Sequence, residues 1–169
     1  MSTIFLTGFM GTGKSTVGKI VASKLGYIFV DLDSCIVERE KCSINEIFSK
    51  KGEAYFRKIE REQLLCLLGK KFQVVSTGGG VVIAPENRLD MRRSGVVINL
   101  VAEPGILLKR LSVETERPLL HGAKSLEIIK KMLSERENWY ADADIRIDTS
   151  GKNVEDVVRE ILVYLETRL

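Results

Sequence analysis

The sequence predicts a parallel, doubly wound α/β fold, and three observations carry that expectation. Short apolar runs alternate with amphipathic stretches along the chain. Most of those runs are apolar throughout, as strands covered on both faces must be. The first of them leads into a glycine-rich turn followed by a helical pattern, the order of a strand–turn–helix unit.

The strands are expected at Thr3–Thr7 (TIFLT), Tyr27–Val30 (YIFV), Gln73–Ser76 (QVVS), Val96–Val101 (VVINLV) and Asp144–Ile147 (DIRI). The first four are rich in β-branched or aromatic residues, so a central five-stranded sheet follows. Between them, Lys14–Leu25 puts Val17, Ile20, Val21 and Leu25 on one helical stripe, and Gly26 stops it. Glu53–Leu68 reads as a longer helix with Phe56, Ile59 and Leu64 inward. Pro85–Arg93 begins with proline at a favourable first-turn position. Pro104–Leu111, Ser125–Tyr140 and Val154–Leu165 complete the set. Two stretches depart from simple alternation. Residues 33–62 carry helical patterns beyond the single helix that a crossover needs, so a segment is inserted there. Residues 112–124 (SVETERPLLHGAK) lack periodicity and contain Pro118 and Gly122, the pattern of a surface loop.

Length and composition set the frame. At 169 residues, with 44% hydrophobic and 29% charged residues, the chain suits one globular domain, residues 1–169. A net charge of +3, without a basic block or an aromatic-interleaved basic stripe, argues against nucleic acid and suits anionic small ligands. Cys35, Cys42 and Cys66 are an odd set without CxxC spacing, expected as buried or half-buried thiols of a reducing compartment. The N-terminus lacks a basic leader, and the apolar run from Val96 is broken by Asn99, Glu103 and Pro104. A cytoplasmic protein without membrane association is expected.

The strongest motif is Gly8-Phe9-Met10-Gly11-Thr12-Gly13-Lys14-Ser15, a full GxxxxGK[ST] match between a strand and a helix. Its glycines turn backbone N–H groups inward around phosphates, and the helix N-terminus adds its positive dipole end. Lys14 is placed to neutralise the β- and γ-phosphates, and Ser15 offers its hydroxyl to Mg²⁺. Gly11, Thr12, Gly13, Lys14, Ser15 and Thr16 are thus the candidate nucleotide contacts. No NKxD base-recognition element is present, which argues against a GTPase. A compact chain with an inserted helical segment and an Arg-Pro loop fits a small-molecule or nucleotide kinase.

Strand two ends in Asp31-Leu32-Asp33, and ligands of open α/β sheets bind beyond such strand ends. Two acids so placed can divide the work, one serving the metal and one accepting a hydroxyl proton. The alternative reading of Asp33 is a cap on the following helix.

With GFMGTGKSTVGK, the strand-end DLD, KKGEAYFRKIE, STGGGVV and ERPLL in this order and spacing, the chain resembles the shikimate kinases over nearly its whole length. The resemblance implies a P-loop kinase fold with an inserted helical substrate-binding segment (33–62) and a short lid (112–124). It implies ATP-dependent phosphorylation of the shikimate 3-hydroxyl in aromatic amino acid (chorismate) biosynthesis, with Mg²⁺. It further implies that Asp33 holds the shikimate hydroxyls and acts as base, while Asp31 supports Mg²⁺ through water beside Ser15. Arg57 and Arg136 would clamp the carboxylate, and Gly78, Gly79 and Gly80 would bring backbone against the ring. Arg117 in the lid would reach the transferring phosphates, and Arg110 would lie along the adenine. A monomer is the family's default.

Each assignment also has a physical reason. Arginine's planar fork matches carboxylate or phosphate bidentately. Glu60, three residues after Arg57 on one helix, can fix that arginine's rotamer. Three successive glycines after a strand admit a ligand closer than any Cβ would. Arg117 before Pro118 suits a loop that closes over the phosphates. The chain departs from the family after Arg136, reading Glu137-Asn138-Trp139-Tyr140 where x-Pro-Leu-Tyr is usual, with Trp139 expected to serve helix packing. Rival readings are another acceptor, such as gluconate or a nucleoside monophosphate, and a nucleotide-binding regulator without catalysis. The presence of Asp33 and Arg117 argues against the last.

Overall fold

The computed structural model describes residues 3–113 and 126–168. Among them, five parallel strands form one sheet in the order β2-β3-β1-β4-β5. These are β1 (Thr3–Thr7), β2 (Ile28–Asp31), β3 (Gln73–Ser76), β4 (Gly95–Val101) and β5 (Ile145–Asp148). The helices are α1 (Lys14–Leu25), α2 (Leu32–Glu40), α3 (Ile44–Leu67), α4 (Pro85–Ser94), α5 (Pro104–Val113), α6 (Leu126–Tyr140) and α7 (Val154–Glu166). A short 3₁₀ turn, Val81–Ile83, follows the triple glycine.

Successive strand residues face opposite sides, so the central strands feed two cores, while the edge strand β5 gives Ile145 and Ile147 to one core only. Ile4, Leu6, Val74, Ile98 and Leu100 pack with Val17 and Val21 of α1 and with Val157 and Ile161 of α7. Phe5, Val75 and Val97 point the other way, onto Leu64 of α3, Met91 of α4, Leu107 of α5 and Ile129 of α6. This double coverage explains why the central strands read as apolar throughout.

The inserted segment is two helices with a small core of their own. Ile36 of α2 packs with Ile47, Phe56 and Ile59 of α3, none more than 4% exposed. Burying such side chains contributes roughly 1.5–3 kcal/mol each, enough to keep this pair together as a unit. A capping box starts α3, with the Ser43 hydroxyl accepting from the Glu46 N–H and the Glu46 carboxylate accepting from the Ser43 N–H.

Several boundaries differ from the sequence reading. The second strand begins at Ile28, because the Tyr27 N–H closes the end of α1 on the Ala22 carbonyl while Ile28 N–H reaches Phe72 O. The fourth begins one residue early, at Gly95, and the fifth is shifted to Ile145–Asp148 by pairing with Ile98–Val101. The helix expected over Glu53–Leu68 is the second half of α3, which starts at Ile44 and is broken at Gly52, where φ is 79°. Helix α5 continues through Val113, so Ser112 and Val113, expected in the loop, are helical, and the rest of the expected lid lies outside the described residues. Cys35 and Cys42 are half-buried as expected, but Cys66 is exposed. Among the described residues, no helix is long and apolar enough to cross a membrane.

Candidate active site

All five strands point their carboxyl ends to one edge, and the candidate residues gather there. Parallel pairing sets Leu6 and Asp31 both opposite Ser76, so the ends of β1, β2 and β3 are level. The turn from β1 into α1 needs its glycines: Gly8, Gly11 and Gly13 have φ of 138°, 81° and 92°. At Gly8 a Cβ would also collide with the Leu100 carbonyl. Gly13 is the N-cap of α1 and no side chain caps that terminus, so the first-turn N–H groups face the cavity above them.

Lys14 folds back over this turn. Its Nζ donates to the carbonyls of Gly8 and Phe9, both at 2.9 Å, and the residue is only 7% exposed. The Ser15 hydroxyl donates to Asp31 Oδ2 at 2.7 Å and lies 3.1 Å from the Ser76 hydroxyl. Asp31 Oδ1 accepts from the Ser34 N–H at 3.1 Å and thereby caps α2. The capping expected as an alternative for Asp33 thus falls to Asp31, which leaves Asp33 in the first helical turn.

A cavity of about 350 Å³ opens along this edge. Residues 11–16 line it, together with Asp31, Asp33, Gly79 and Arg110. The Arg110 guanidinium donates to the Gly11 carbonyl and Thr149 Oγ1, both at 3.1 Å, and to the Thr149 carbonyl at 3.2 Å. It therefore ties the phosphate loop to the turn after β5. Ser76, Thr77, Thr149, Lys152 and Val154 also line the cavity and were missed in the sequence reading. Their signal was the strand-end rule, which applies to the segments after β3 and β5 as much as to that after β2.

A second cluster adjoins the first. Arg57 donates through Nη1 to Glu60 Oε2 at 2.8 Å, the i,i+3 pairing expected from sequence, and through Nη2 to Glu53 Oε1 at 3.1 Å. The Arg57 guanidinium lies over Gly80 so closely that a Cβ there would overlap it. A Cβ at Gly78 would sit 2.8 Å from Glu60 Oε1 and 2.9 Å from Asp33 Oδ1, and one at Gly79 would press on the Met10 N–H at 3.3 Å. The triple glycine is thus the floor on which Arg57, Glu60, Asp33 and the phosphate loop meet. Arg136, 9% exposed, stands on α6 with its guanidinium 6.0 Å from the Phe9 ring centre. Arg117 lies outside the described residues.

Glu60 is 1% exposed, and burial is the main reason that its carboxyl is raised to about 7; Arg57 opposes the rise, while Asp33 and Glu53 add to it. The folded value lies above the ordinary 4.5, so between 4.5 and about 7 the native state binds more protons than the unfolded chain. This contribution to stability is full at the acid end of that window and is lost as pH rises through it. The melting temperature of the unmodified chain minus that of Glu60→Gln is therefore expected to fall across the window and level off above it. Thermal denaturation in a pH series checks this, and a flat difference would contradict it.

The oxygen donors fit a hard divalent cation. The Ser15 hydroxyl and Asp31 carboxylate adjoin each other beside Lys14, the donor type Mg²⁺ takes. Among the described residues no group of three or more His, Cys, Asp and Glu could hold a metal.

Comparison with known proteins agrees with this geometry. The family model described as shikimate kinase matches residues 10–166. The shikimate kinase of Geobacter metallireducens is 54% identical over 165 residues, covering 98% of this chain and 92% of its own. That of Geobacter sulfurreducens is also 54% identical, over 96% of this chain and 90% of its own. Among solved structures, the Acinetobacter baumannii shikimate kinase in complex with shikimate superposes with a TM-score of 0.95 at 32% identity, covering 99% of this chain and 94% of that one. With a family model matched over most of its length and relatives 54% identical, the chain belongs to the shikimate kinase family.

Proposed function

We propose that the chain transfers the γ-phosphoryl group of ATP to the 3-hydroxyl of shikimate, giving shikimate 3-phosphate and ADP. The observation that carries this reading is the meeting of Asp33, Glu60 and Arg57 over Gly78–Gly80, directly beside the phosphate loop. A hydroxylated carboxylate fits such a floor: the glycines admit a flat ring, an arginine takes its carboxylate, and an aspartate faces its hydroxyls.

Residues 11–16 would cradle the phosphates through backbone N–H groups at the α1 terminus. The Lys14 ammonium would leave its two carbonyls for the β- and γ-phosphates, and Arg117 would add a second cation there. Arg110 would lie along the adenine, with Thr149 and Lys152 beside it. Ser15 and, through water, Asp31 would hold Mg²⁺, whose charge offsets that of the phosphates. Arg57 and Arg136 would grip the carboxylate, and Glu60 would keep Arg57 in place.

Asp33 accepts the proton of the 3-hydroxyl as that oxygen bonds to the γ-phosphorus. The bond from the γ-phosphorus to the β–γ bridging oxygen breaks, and its electron pair leaves with ADP. Positioning and charge neutralisation supply most of the acceleration in such transfers. The α2–α3 pair, with its own small core, would close over shikimate as a unit, and the 112–124 lid would close over ATP. The protein would act as a monomer in the cytoplasm.

The test is coupled ADP release with ATP and Mg²⁺, offering shikimate, gluconate and a nucleoside monophosphate panel as acceptors. Turnover on shikimate alone is expected. Preferred turnover on another acceptor would overturn the acceptor reading while leaving the phosphate-loop assignment standing.

A further inference from the structure

Tyr140 sits at the junction of three parts of the site. It ends α6 one turn after Arg136, on the same face. It is 3% exposed, and its hydroxyl donates to the Gly79 carbonyl at 2.5 Å, across 61 residues of sequence. Arg136 opposes the burial-driven rise of this phenol, and Arg57 and Glu60 act on it as well. The proton of this hydroxyl is thus used on Gly79, which ties the end of α6 to the glycine floor one turn after Arg136. Arg136 keeps Nη1 buried without a hydrogen-bond partner among the described residues. A buried arginine N–H group in that condition costs free energy unless a ligand completes it.

We propose that Tyr140 is a positioning residue for acceptor binding: by tying the end of α6 to Gly79, one turn after Arg136, it sets the guanidinium above the glycine floor, with Nη1 directed to the acceptor's carboxylate. The inference rests on the acceptor reading above. The bridge does not vary over the working pH range, because burial pushes the phenol up to about 12 and it stays protonated. The residues between Arg136 and Tyr140 are Glu137-Asn138-Trp139, and the half-buried Trp139 packs on the core. The bridge therefore supplies a fixed point for Arg136 in a stretch where the chain departs from the usual family pattern.

The test is Tyr140→Phe, which keeps the ring volume and removes only the hydroxyl. Titration calorimetry reads shikimate binding without turnover. Loss of a hydrogen bond that orients a charged group is expected to weaken shikimate about tenfold in both Kd and KM. The KM for ATP should hold within twofold, which also certifies the fold, and kcat should hold within threefold. On shikimate methyl ester, which lacks the anionic carboxylate, the loss should shrink to less than twofold. In an Arg136→Ala background, Tyr140→Phe should add nothing further. Equal losses on acid and ester, a further loss in the Arg136→Ala background, or unchanged shikimate affinity would overturn the proposal. Failure of the unmodified chain to bind shikimate at all would overturn the acceptor reading and this inference with it.

Discussion

Asp33→Asn is expected to lower kcat on shikimate by about 10²–10⁴-fold, the range for loss of a positioned general base. The substitution keeps the size of the side chain and its capacity to contact hydroxyls, so shikimate affinity should change far less than turnover. The carboxylate stands at the end of β2, in the first turn of α2, with Asp31 rather than Asp33 spent on capping that helix. A secondary effect follows from the cluster. Asp33 is one of the charges that push the Glu60 carboxyl up, so its neutralisation should bring the Glu60 titration down towards its ordinary range. Turnover within threefold of the unmodified chain would contradict the assignment of the proton acceptor.

Lys14→Met is expected to reduce kcat by about 10²–10³-fold, comparable to removal of one preorganised charge or donor at a transition state. Methionine fills much of the same space, so the loss reports charge rather than a cavity. Lys14 is 7% exposed, and its ammonium rests on two carbonyls of the loop that it would serve. Removing it should leave shikimate binding, read by titration calorimetry, within twofold. A parallel loss of shikimate affinity and turnover would instead mean that the substitution had disturbed the whole phosphate loop.

The sequence carried the local rules of this fold well and its long-range ones poorly. Helix α1 matches its expected bounds because both ends are written locally, in the glycine-rich turn before it and in Gly26 after it, where φ is 67°. The start of β2 was misplaced because an aromatic residue looks like strand, whereas the Tyr27 N–H belongs to the end of α1. The strand begins only where Ile28 finds Gln73, and that partner is distant in sequence. The first half of α3 was legible in principle from the Ser43–Glu46 capping box, a signal overlooked in favour of the stronger periodicity after Gly52.

The site divides in the same way. The Arg57–Glu60 pair lies within one helical turn and was read directly. That the acids ending β2 lie beside the phosphate loop followed from the strand-end rule, while the place of Asp31 beside Ser15 was implied by the family resemblance. The Tyr140–Gly79 bridge and the clasp of Arg110 on Thr149 were not legible, because each joins segments that only the finished sheet brings together. Sequence spacing says nothing about which of many buried hydroxyls will meet which carbonyl.

The central claim concerns one oxygen atom of one acceptor, and phosphorus–proton NMR of the product tests it most directly. With ATP, Mg²⁺ and shikimate, the expected product shows the new phosphorus coupled to the ring proton on carbon 3, with one ADP formed per phosphorylated ring. Phosphorus on another ring oxygen, or ADP formed without any phosphorylated shikimate, would contradict the assignment of Asp33, Arg57 and Arg136 to the acceptor.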